Sequence, residues 1–155
     1  MKAYLVRHAH AGDRDSWEGD DRLRPLTDKG WSQARGLAAE LGGEEIGRVV
    51  SSSYLRCVQT VEPLAEALGL AVQVDDAFAE GSPWREALAR LTRASESLVA
   101  CSQGDVIGSI IDDLAGRGVI PPGDIRWQKG SAWVLTVEAG DVVAAAYQPP
   151  VEADA

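Results

Sequence analysis

The fold of this chain is decided by the stretch Tyr4–Gly12, which reads YLVRHAHAG. Residues 2–7 alternate little between apolar and polar side chains, which is typical of a strand buried on both faces of a parallel sheet. The strand ends on an arginine and a histidine and is followed by small residues. Because open α/β sheets bind ligands at the carboxyl ends of their strands, this order predicts a ligand site with a histidine beside a fixed cation.

Strand and helix patterns alternate along the rest of the chain. Thr27 is a suitable N-cap for a helix that continues to Gly42-Gly43, and a second helix runs from Leu55 to Gly69. Further short strands are predicted near 49–51, 71–74 and 97–101, helices near 84–92 and 106–114, and a hairpin at 132–137 and 142–147. This order predicts an α/β fold, a three-layer α/β/α sandwich with a mostly parallel central sheet and an antiparallel edge.

Length and composition indicate one globular domain. The 155 residues are 45% hydrophobic, and we expect a single domain over residues 1–148 with a disordered tail at 149–155. The net charge of −9 argues against binding to a nucleic acid polymer or an anionic membrane, since both repel an acidic protein. No apolar run approaches the roughly 18 residues that span a bilayer. The start of the chain lacks the apolar core of a signal peptide, so we expect a cytoplasmic protein.

Cysteine and histidine usage predicts neither a disulfide nor a metal site. Cys57 and Cys101 lie 44 positions apart without CxxC spacing, so we expect reduced thiols that pack in the core or near the site. The chain has two histidines and no facing acidic pair on a helix, which leaves no cluster with metal-ligand spacing. We therefore expect no metal and no cofactor.

Polar residues follow three of the predicted strands: Arg7-His8 after the first, Ser51 to Arg56 after the second, and Ser102-Gln103 after the fourth. In a parallel sheet these ends share one edge, so the residues can converge on one ligand. Two arginines suit a tetrahedral dianion because their rigid guanidinium groups hold several of its oxygens, and a histidine between them can attack phosphorus. The alternative for Arg56, a solvated residue in the first turn of a helix, is unfavourable there unless an anion binds.

Four segments, in this order, resemble the histidine phosphatase superfamily, also called phosphoglycerate mutase-like. They are residues 5–9 (LVRHA) with the downstream 24–30 (RPLTDKG), 51–60 (SSSYLRCVQT), 78–81 (FAEG) and 99–107 (VACSQGDVI). The resemblance covers residues 2 to about 135, and the short length is most similar to the small phosphohistidine phosphatase (SixA-type) branch. Two segments are also similar to phosphatase-like modules joined to Nudix hydrolases in some bacteria, namely 19–26 (GDDRLRPL) and 129–133 (KGSAW).

The resemblance implies a role for each matched residue. His8 would be the nucleophile, neutral at the attacking nitrogen, and would form a phosphohistidine while a hydrogen bond orients its other ring nitrogen. Arg7 and Arg56 would bind the phosphoryl oxygens and stabilise the charge of the transition state. Glu80 would donate a proton to the leaving group, with an ordinary loop carboxylate as the alternative because its matched segment is short.

One position departs from the family pattern. Between Ser102 and Gly104, where family members usually carry a second histidine, this chain has Gln103. Its amide can donate a hydrogen bond to a phosphoryl oxygen but cannot become cationic, which we expect to cost about 1–2 kcal/mol of transition-state stabilisation. Lys129 is a candidate to restore the positive charge, with a solvated loop lysine as the alternative. Ser102 is a further candidate phosphate ligand.

Other polar and aromatic residues are candidates for contacts with the substrate. Trp17 and Trp84 are the tryptophans that we expect to stack on it. His10 is expected to be an exposed loop histidine, with a place in the pocket as the alternative. The remaining basic candidates are Arg14, Arg22 and Arg24. One or two of them would bind the phosphate or distal groups of the substrate, and the others would pair with aspartates. Arg14 is the foremost candidate for a phosphate ligand.

The sequence predicts a metal-independent phosphatase that acts through a phosphohistidine on His8. Its substrate would be a phosphohistidine protein, a small phosphorylated metabolite or a nucleotide, and the shapes of loops 12–25 and 78–85 would decide which. The alternative is a catalytically weak module that binds phosphate groups or a phosphorylated protein, which Gln103 supports. A mutase is disfavoured because it must shield its intermediate from water with lid segments that this compact sequence lacks.

Overall fold

The computed structural model describes residues 1–154, which form a six-stranded sheet with two helices on each face. In chain order the strands are β1 (Lys2–Arg7), β2 (Arg48–Ser51), β3 (Val72–Val74), β4 (Leu98–Ser102), β5 (Ala132–Glu138) and β6 (Asp141–Gln148). The helices are α1 (Asp28–Leu41), α2 (Leu55–Leu68), α3 (Trp84–Thr92) and α4 (Gly104–Gly116). Short 3₁₀ turns cover Arg14–Ser16, Asp21–Leu23, Asp76–Phe78 and Pro122–Asp124. Within residues 1–154, no helix is long and apolar enough to cross a membrane.

The sheet has the strand order β3-β2-β4-β1-β5-β6. Strands β1 to β4 run parallel, whereas β5 pairs antiparallel with β1 and β6 pairs antiparallel with β5. The predicted mostly parallel sheet with an antiparallel edge is therefore confirmed. In the register, Arg7 pairs with Ser102 and Ser51 pairs with Cys101. The carboxyl ends of β1, β4 and β2 consequently lie side by side at one edge of the sheet.

The central strand β1 explains the three layers. Its side chains alternate between two cores: Tyr4 and Val6 pack with residues of α1 and α2, while Ala3 and Leu5 pack with residues of α3 and α4. All four residues are at most 5% exposed. Burial on both faces requires apolar side chains at successive positions, which accounts for the lack of alternation in the sequence. The predicted three-layer α/β/α sandwich is confirmed.

Local sequence signals set the ends of several elements. The Thr27 Oγ1 atom accepts a hydrogen bond from the Gly30 amide at 3.1 Å, as predicted for the N-cap of α1. Gly69, at a φ of +70°, ends α2 in the left-handed region. The β5–β6 hairpin turns on Ala139 and Gly140, both at positive φ, which matches the twist of the two strands.

The C-terminal tail makes hydrogen bonds to α1. The Ala153 amide donates to the Ser32 carbonyl at 3.0 Å, and the Ser32 hydroxyl donates to the Ala153 carbonyl at 3.0 Å. Gly36 permits this approach, since a Cβ atom at that position would overlap the Val151 carbonyl oxygen. Residues 149–154 therefore lie along α1, because a glycine on its surface leaves room for the backbone of the tail. Ala155 lies outside the described residues.

The two cysteines pack in the core, as expected. Cys57 on α2 and Cys101 on β4 are both free and fully buried. Burial raises the pKa of the Cys101 thiol well above its usual value, so this thiol stays protonated at neutral pH. Both residues therefore act as small apolar side chains between the sheet and α2.

Gly30 connects α1 to the loop that follows β1, and a Cβ atom there would overlap the His10 carbonyl oxygen. We expect Gly30→Ala to lower the free energy of unfolding by about 1–3 kcal/mol, because the obstacle is backbone rather than a flexible side chain. The matched control is Gly116→Ala at the end of α4, where a Cβ would meet open space. This control should be neutral or stabilising by up to about 1 kcal/mol. Urea denaturation measures both, and equal stability of the two variants would contradict the expected clash.

Candidate active site

A cavity of about 420 Å³ lies at the edge of the sheet where β1 and β4 end. Six of the predicted site residues line it: Arg7, His8, Arg14, Glu80, Gln103 and Lys129. The other lining residues come from the neighbouring loops and the start of α4, namely Gly12, Asp13, Arg24, Gly104, Asp105 and Trp127. The lining is mostly charged or polar, which suits a polar, anionic ligand.

His8 lies directly after β1, and its amide donates to the Ser102 carbonyl at 3.1 Å. Its side chain is 5% exposed, and the ring Nδ1 lies 2.8 Å from the Ala9 carbonyl oxygen. A carbonyl oxygen can only accept a hydrogen bond, so Nδ1 carries the ring proton and Nε2 keeps its lone pair. The side chain therefore has the tautomer of a nucleophile that attacks through Nε2.

The electrostatic surroundings keep His8 neutral. The pKa of His8 is lowered to about 3, chiefly by burial and in part by the positive charges of Arg56, Arg7 and Lys129. The hydrogen bond to the Ala9 carbonyl opposes this shift. A neutral imidazole is the reactive form, so the ring is ready to act as a nucleophile across the physiological pH range.

Arg7, the last residue of β1, has a donor without a partner. Its Nη1 atom donates to the Trp127 carbonyl at 2.8 Å, while Nε is buried and makes no hydrogen bond. Gly104 makes room for the guanidinium group, since a Cβ atom there would lie 2.9 Å from Arg7 Nη2. The guanidinium group is thus fixed in place with an N–H left over for a ligand.

Arg56 is a fully buried cation in the first turn of α2. Its Nη1 donates to the Asp21 carbonyl at 2.8 Å, and its Nη2 donates to Asp21 Oδ2 at 3.1 Å. The Cζ atom lies 4.9 Å from the centroid of the Tyr54 ring, within range of a cation–π contact. As in Arg7, Nε is buried without a partner. In both arginines, the Nε–H group is therefore a donor that no protein acceptor uses.

Asp21 binds three arginines at once. Its Oδ1 lies 2.9 Å from Arg24 Nε, and its Oδ2 lies 3.1 Å from Arg56 Nη2 and 3.5 Å from Arg14 Nε. Burial alone would raise the pKa of the Asp21 carboxyl, but the hydrogen bond from Arg24 and the nearby positive charges lower it below its usual value. The ionised carboxylate therefore ties the loop after β1 to the start of α2.

Gln103 is 1% exposed and stands at the N-cap of α4. Its Oε1 atom accepts hydrogen bonds from the Ser52 hydroxyl at 3.1 Å and from the Glu80 amide at 2.7 Å. Two donors on one side of the amide fix which atom is the oxygen, so the NH₂ group points the other way. Its Nε2 atom is buried and has no partner.

Glu80 lines the cavity, and its carboxylate is paired with arginine. Its Oε1 accepts a hydrogen bond from Arg14 Nη2 at 2.6 Å and lies 3.9 Å from Arg56 Nη2. The charge-assisted hydrogen bond from Arg14 holds the Glu80 carboxyl group at the cavity wall. In this position Glu80 can exchange a proton with a reactant.

Lys129 lies in the cavity lining without an acidic partner. None of the ion pairs within 4.0 Å in the described part of the chain involves this lysine. Burial lowers the pKa of Lys129, and repulsion from neighbouring arginines lowers it further, whereas Asp13 raises it. The ammonium group adds a positive charge beside Arg7 that an anionic ligand would stabilise.

Several predicted site residues lie outside the cavity lining. Arg56 is buried and acts on His8 through its charge. The Ser102 hydroxyl is also buried and donates to the Phe78 carbonyl at 2.5 Å, so it is not free to bind phosphate. His10 is half-buried, with Nδ1 2.7 Å from Thr27 Oγ1, instead of exposed in a loop.

The remaining arginine and tryptophan candidates are divided between the site and the surface. Arg24 is 6% exposed and borders the cavity, whereas Arg22 pairs with Asp20 on the surface. Trp17 lines a neighbouring cavity, whereas Trp84, the first residue of α3, is partly buried against the core. Among the predicted aromatic contacts, Trp17 alone therefore lies beside the candidate site in the described residues.

Sequence reasoning did not assign the contacts that hold the site in place. Ser52 fixes the Gln103 amide through its hydroxyl, and Trp127 contributes only its backbone carbonyl to Arg7. A main-chain carbonyl has no signal in the sequence. The signal for Ser52 was its position directly after β2, next to the strand end that carries Gln103. Within residues 1–154, no group of three or more His, Cys, Asp or Glu side chains could hold a metal ion.

The depressed pKa of His8 predicts how the ring titrates. In the free protein we expect no protonation of His8 between pH 5 and 8, because its folded pKa is about 3. The unfolded chain, with a histidine pKa near 6.5, takes up this proton first, so His8 contributes stability above pH 6.5 that is lost as the pH falls toward 3. Proton NMR of the ring signals measures this, with His10→Ala to assign the two histidines. A His8 midpoint near 6.5 would contradict the buried, neutral ring.

Removing the Asp21 charge tests how much this carboxylate stabilises the buried Arg56 guanidinium group. We expect Asp21→Asn to lower the free energy of unfolding by about 2 kcal/mol, because a fully buried guanidinium group loses its nearest carboxylate. The matched control is Asp20→Asn, whose carboxylate pairs with the exposed Arg22 and should change stability by less than about 0.5 kcal/mol. Chemical denaturation compares the two. Equal effects would show that Arg56 is adequately solvated without Asp21.

Comparison with known proteins places the site in a family. Residues 3–84, which are 82 of the 155 residues, match the histidine phosphatase superfamily (branch 1). The chain is 34% identical over 152 residues to an 8-oxo-(d)GTP phosphatase of Mycolicibacterium smegmatis, over 94% of this chain and 47% of that protein. It is 38% identical over 72 residues to phosphohistidine phosphatase SixA of Escherichia coli, over 45% of this chain and 43% of that protein. The matches thus span less than half the length of these curated relatives.

Solved structures share the fold across nearly the whole chain. The structure of the protein histidine phosphatase SixA with tungstate superposes with a TM-score of 0.76 at 22% identity, covering 98% of this chain and 97% of that one. A mycobacterial glucosyl-3-phosphoglycerate phosphatase gives a TM-score of 0.67 at 17% identity, covering 94% of this chain and 96% of that one. At these identities the likeness shows the fold alone. With more than half of its residues matching the family and the fold shared throughout, the chain belongs to the histidine phosphatase superfamily, as its four sequence segments predict.

Proposed function

We propose that this chain is a phosphatase domain that cleaves phosphoryl groups through a phosphohistidine on His8. The observation that carries the proposal is a set of three buried donors without partners: Arg7 Nε, Arg56 Nε and Gln103 Nε2. A buried N–H group without an acceptor costs about 1–3 kcal/mol, and more when it is charged, which argues for a ligand that completes the set. A phosphoryl group supplies three acceptor oxygens and the negative charge that two guanidinium groups favour.

In the proposed first step, the Nε2 lone pair of His8 attacks phosphorus opposite the leaving group. The P–N bond forms as the bond to the leaving atom breaks, and the leaving atom keeps the electron pair. The ring gains positive charge, which the hydrogen bond from Nδ1 to the Ala9 carbonyl stabilises. The donors of Arg7, which lines the cavity, and the positive charge of the buried Arg56 stabilise the negative charge on the equatorial phosphoryl oxygens.

In the proposed second step, water attacks the phosphohistidine and the P–N bond breaks. Orthophosphate leaves, and Nε2 of His8 regains its lone pair. The Glu80 carboxylate, held at the cavity wall by Arg14, accepts the proton of the attacking water. In the first step the protonated form of the same group donates to the leaving atom.

The chemistry of the leaving group bears on the substrate class. Leaving groups that depart without an added proton include the nucleoside phosphate of a phosphoanhydride and the imidazole of a protonated phosphohistidine. These are also the classes named for the relatives, an 8-oxo-(d)GTP phosphatase and a phosphohistidine phosphatase. We therefore propose nucleotides and phosphohistidine proteins ahead of simple alkyl phosphate esters.

A second candidate function is a module that binds phosphate groups with little or no turnover. Gln103 favours it, because a neutral amide stands where the family usually places a second histidine, and the amide oxygen is already bound by Ser52 and the Glu80 amide. Such a module would keep the three donors and the anion affinity but lack the cationic group that stabilises the transition state. Both candidate functions require binding of a phosphate group, and only the phosphatase requires turnover.

Phosphate release tests the phosphatase. We expect metal-free turnover of a phosphohistidine peptide, p-nitrophenyl phosphate or nucleotides, and its loss by at least about 10³-fold in His8→Ala, because no other group can form the intermediate. His10→Ala is the matched control and should retain activity within a few-fold, since His10 lies outside the cavity lining. An acid-labile phosphoenzyme should form in wild type and not in His8→Ala. Full activity in His8→Ala would exclude the proposed intermediate.

The variant Gln103→His separates the two candidates. If the neutral amide limits a working phosphatase, kcat should rise about tenfold, because a charge-assisted hydrogen bond replaces a neutral one. If wild type is silent with every substrate but binds inorganic phosphate, and Gln103→His turns over, the binding module is the correct assignment. Thermal denaturation of the variant controls for the loss of the Ser52 and Glu80 contacts.

A further inference from the structure

A second cavity adjoins the candidate active site. It has a volume of about 250 Å³ and shares Gly12, Asp13 and Arg24 with the cavity that contains His8. Its own walls include Trp17, Pro25 and Leu26 and are mainly apolar. A charged cavity that opens onto an apolar one suits a ligand with an anionic end and an apolar end.

The Trp17 ring is held in place but left uncovered. Its indole N–H donates to the Asp20 carbonyl at 3.0 Å, which fixes the side chain in the loop after β1. The residue is nevertheless 38% exposed, while Leu26, which lines the same cavity, is 6% exposed. An aromatic ring that is fixed and accessible next to a ligand site can stack on a planar group at little entropic cost.

The contacts of Glu80 indicate the side on which the leaving group lies. Its carboxylate binds Arg14, which opens the 3₁₀ turn Arg14–Ser16 directly before Trp17. Since Glu80 is the group placed to exchange a proton with reactants, the substrate beyond phosphorus extends toward this turn. A third cavity, of about 280 Å³ around Ile125, adjoins the site at Arg7 and Trp127 instead.

The occupant is not attached directly to phosphorus. Neither His8 nor Glu80 lines the apolar cavity, so a group bound there is separated from the reacting atoms by a spacer. The imidazole of a phosphohistidine is bonded to phosphorus itself and stays in the charged cavity. In a nucleoside diphosphate, by contrast, a phosphate and a ribose separate the base from the transferred phosphoryl group.

We propose that the apolar cavity is the subsite for the base of a nucleoside phosphate, with Trp17 stacked on the ring. This assignment rests on the proposed phosphatase and names the class of its substrate. For a diphosphate, the β-phosphoryl group passes to His8 as the bond to the bridging oxygen breaks, and the nucleoside monophosphate leaves with that oxygen. Water then breaks the P–N bond and releases orthophosphate.

The test compares GDP with inorganic pyrophosphate in the presence of EDTA. Both carry the same phosphoanhydride bond, and only GDP has a base. In Trp17→Ala we expect the ratio of kcat/KM for GDP to that for pyrophosphate to fall about fivefold or more, as the loss of base stacking predicts. Trp17→Phe, which keeps an aromatic ring, should restore most of the ratio. Ile125→Ala, at the third cavity, is the matched control and should leave the ratio unchanged.

Other outcomes would overturn the subsite. An unchanged ratio in Trp17→Ala, or a fall in Ile125→Ala alone, would place the base elsewhere. A phosphohistidine peptide cleaved far faster than GDP, with GDP indifferent to Trp17, would assign the site to phosphoproteins.

The subsite is tested even if the proposed phosphatase fails. If wild type cleaves no substrate, calorimetry of GDP binding still decides, since a Kd that rises about fivefold in Trp17→Ala but not in Ile125→Ala supports the subsite without catalysis. Equal GDP binding by wild type and Trp17→Ala would reject it.

Discussion

The structure depends on holding two positive charges in a buried site while leaving part of their hydrogen-bonding capacity unused. Arg56 is fully buried, and both arginines keep an Nε–H group without a protein acceptor. Desolvation makes such groups costly, so the surrounding fold must supply compensation. It does so with the Asp21 carboxylate and with backbone carbonyls of Asp21 and Trp127, which accept hydrogen bonds from Nη atoms while the two Nε–H groups keep no protein acceptor.

The same arrangement connects the fold to the candidate site. The Thr60 hydroxyl accepts from the Ala9 amide and donates to the Arg56 carbonyl, so the segment after His8 is joined directly to α2. On the other side, Gly30 lets α1 pack against the His10 carbonyl. The segment after β1 is therefore held between two helices, which fixes His8 relative to both arginines.

Gln103 shows how a change of residue type alters the electrostatics of a buried site. A histidine at this position could become cationic, whereas the amide is neutral and its oxygen is fixed by two donors. The site keeps a directed N–H group but carries less positive charge at the start of α4. Lys129 adds positive charge to the cavity lining near Arg7, where it also helps to keep His8 neutral. Gln103 thus supplies a directed N–H group, and Lys129 supplies positive charge.

The sequence by itself determined the layers, the element boundaries and the strand ends that meet at the site, because periodicity, capping by Thr27 and turn residues are local signals. It also pointed to His8, Arg7 and Arg56 as candidates, since each lies at or near the carboxyl end of a strand. Only the tertiary structure decided which donors stay free: the Ser102 hydroxyl is used by the Phe78 carbonyl, while the Gln103 amide nitrogen is left unpaired. These partners are distant in sequence and are often backbone carbonyls, which every residue type carries, so no sequence pattern could reveal them.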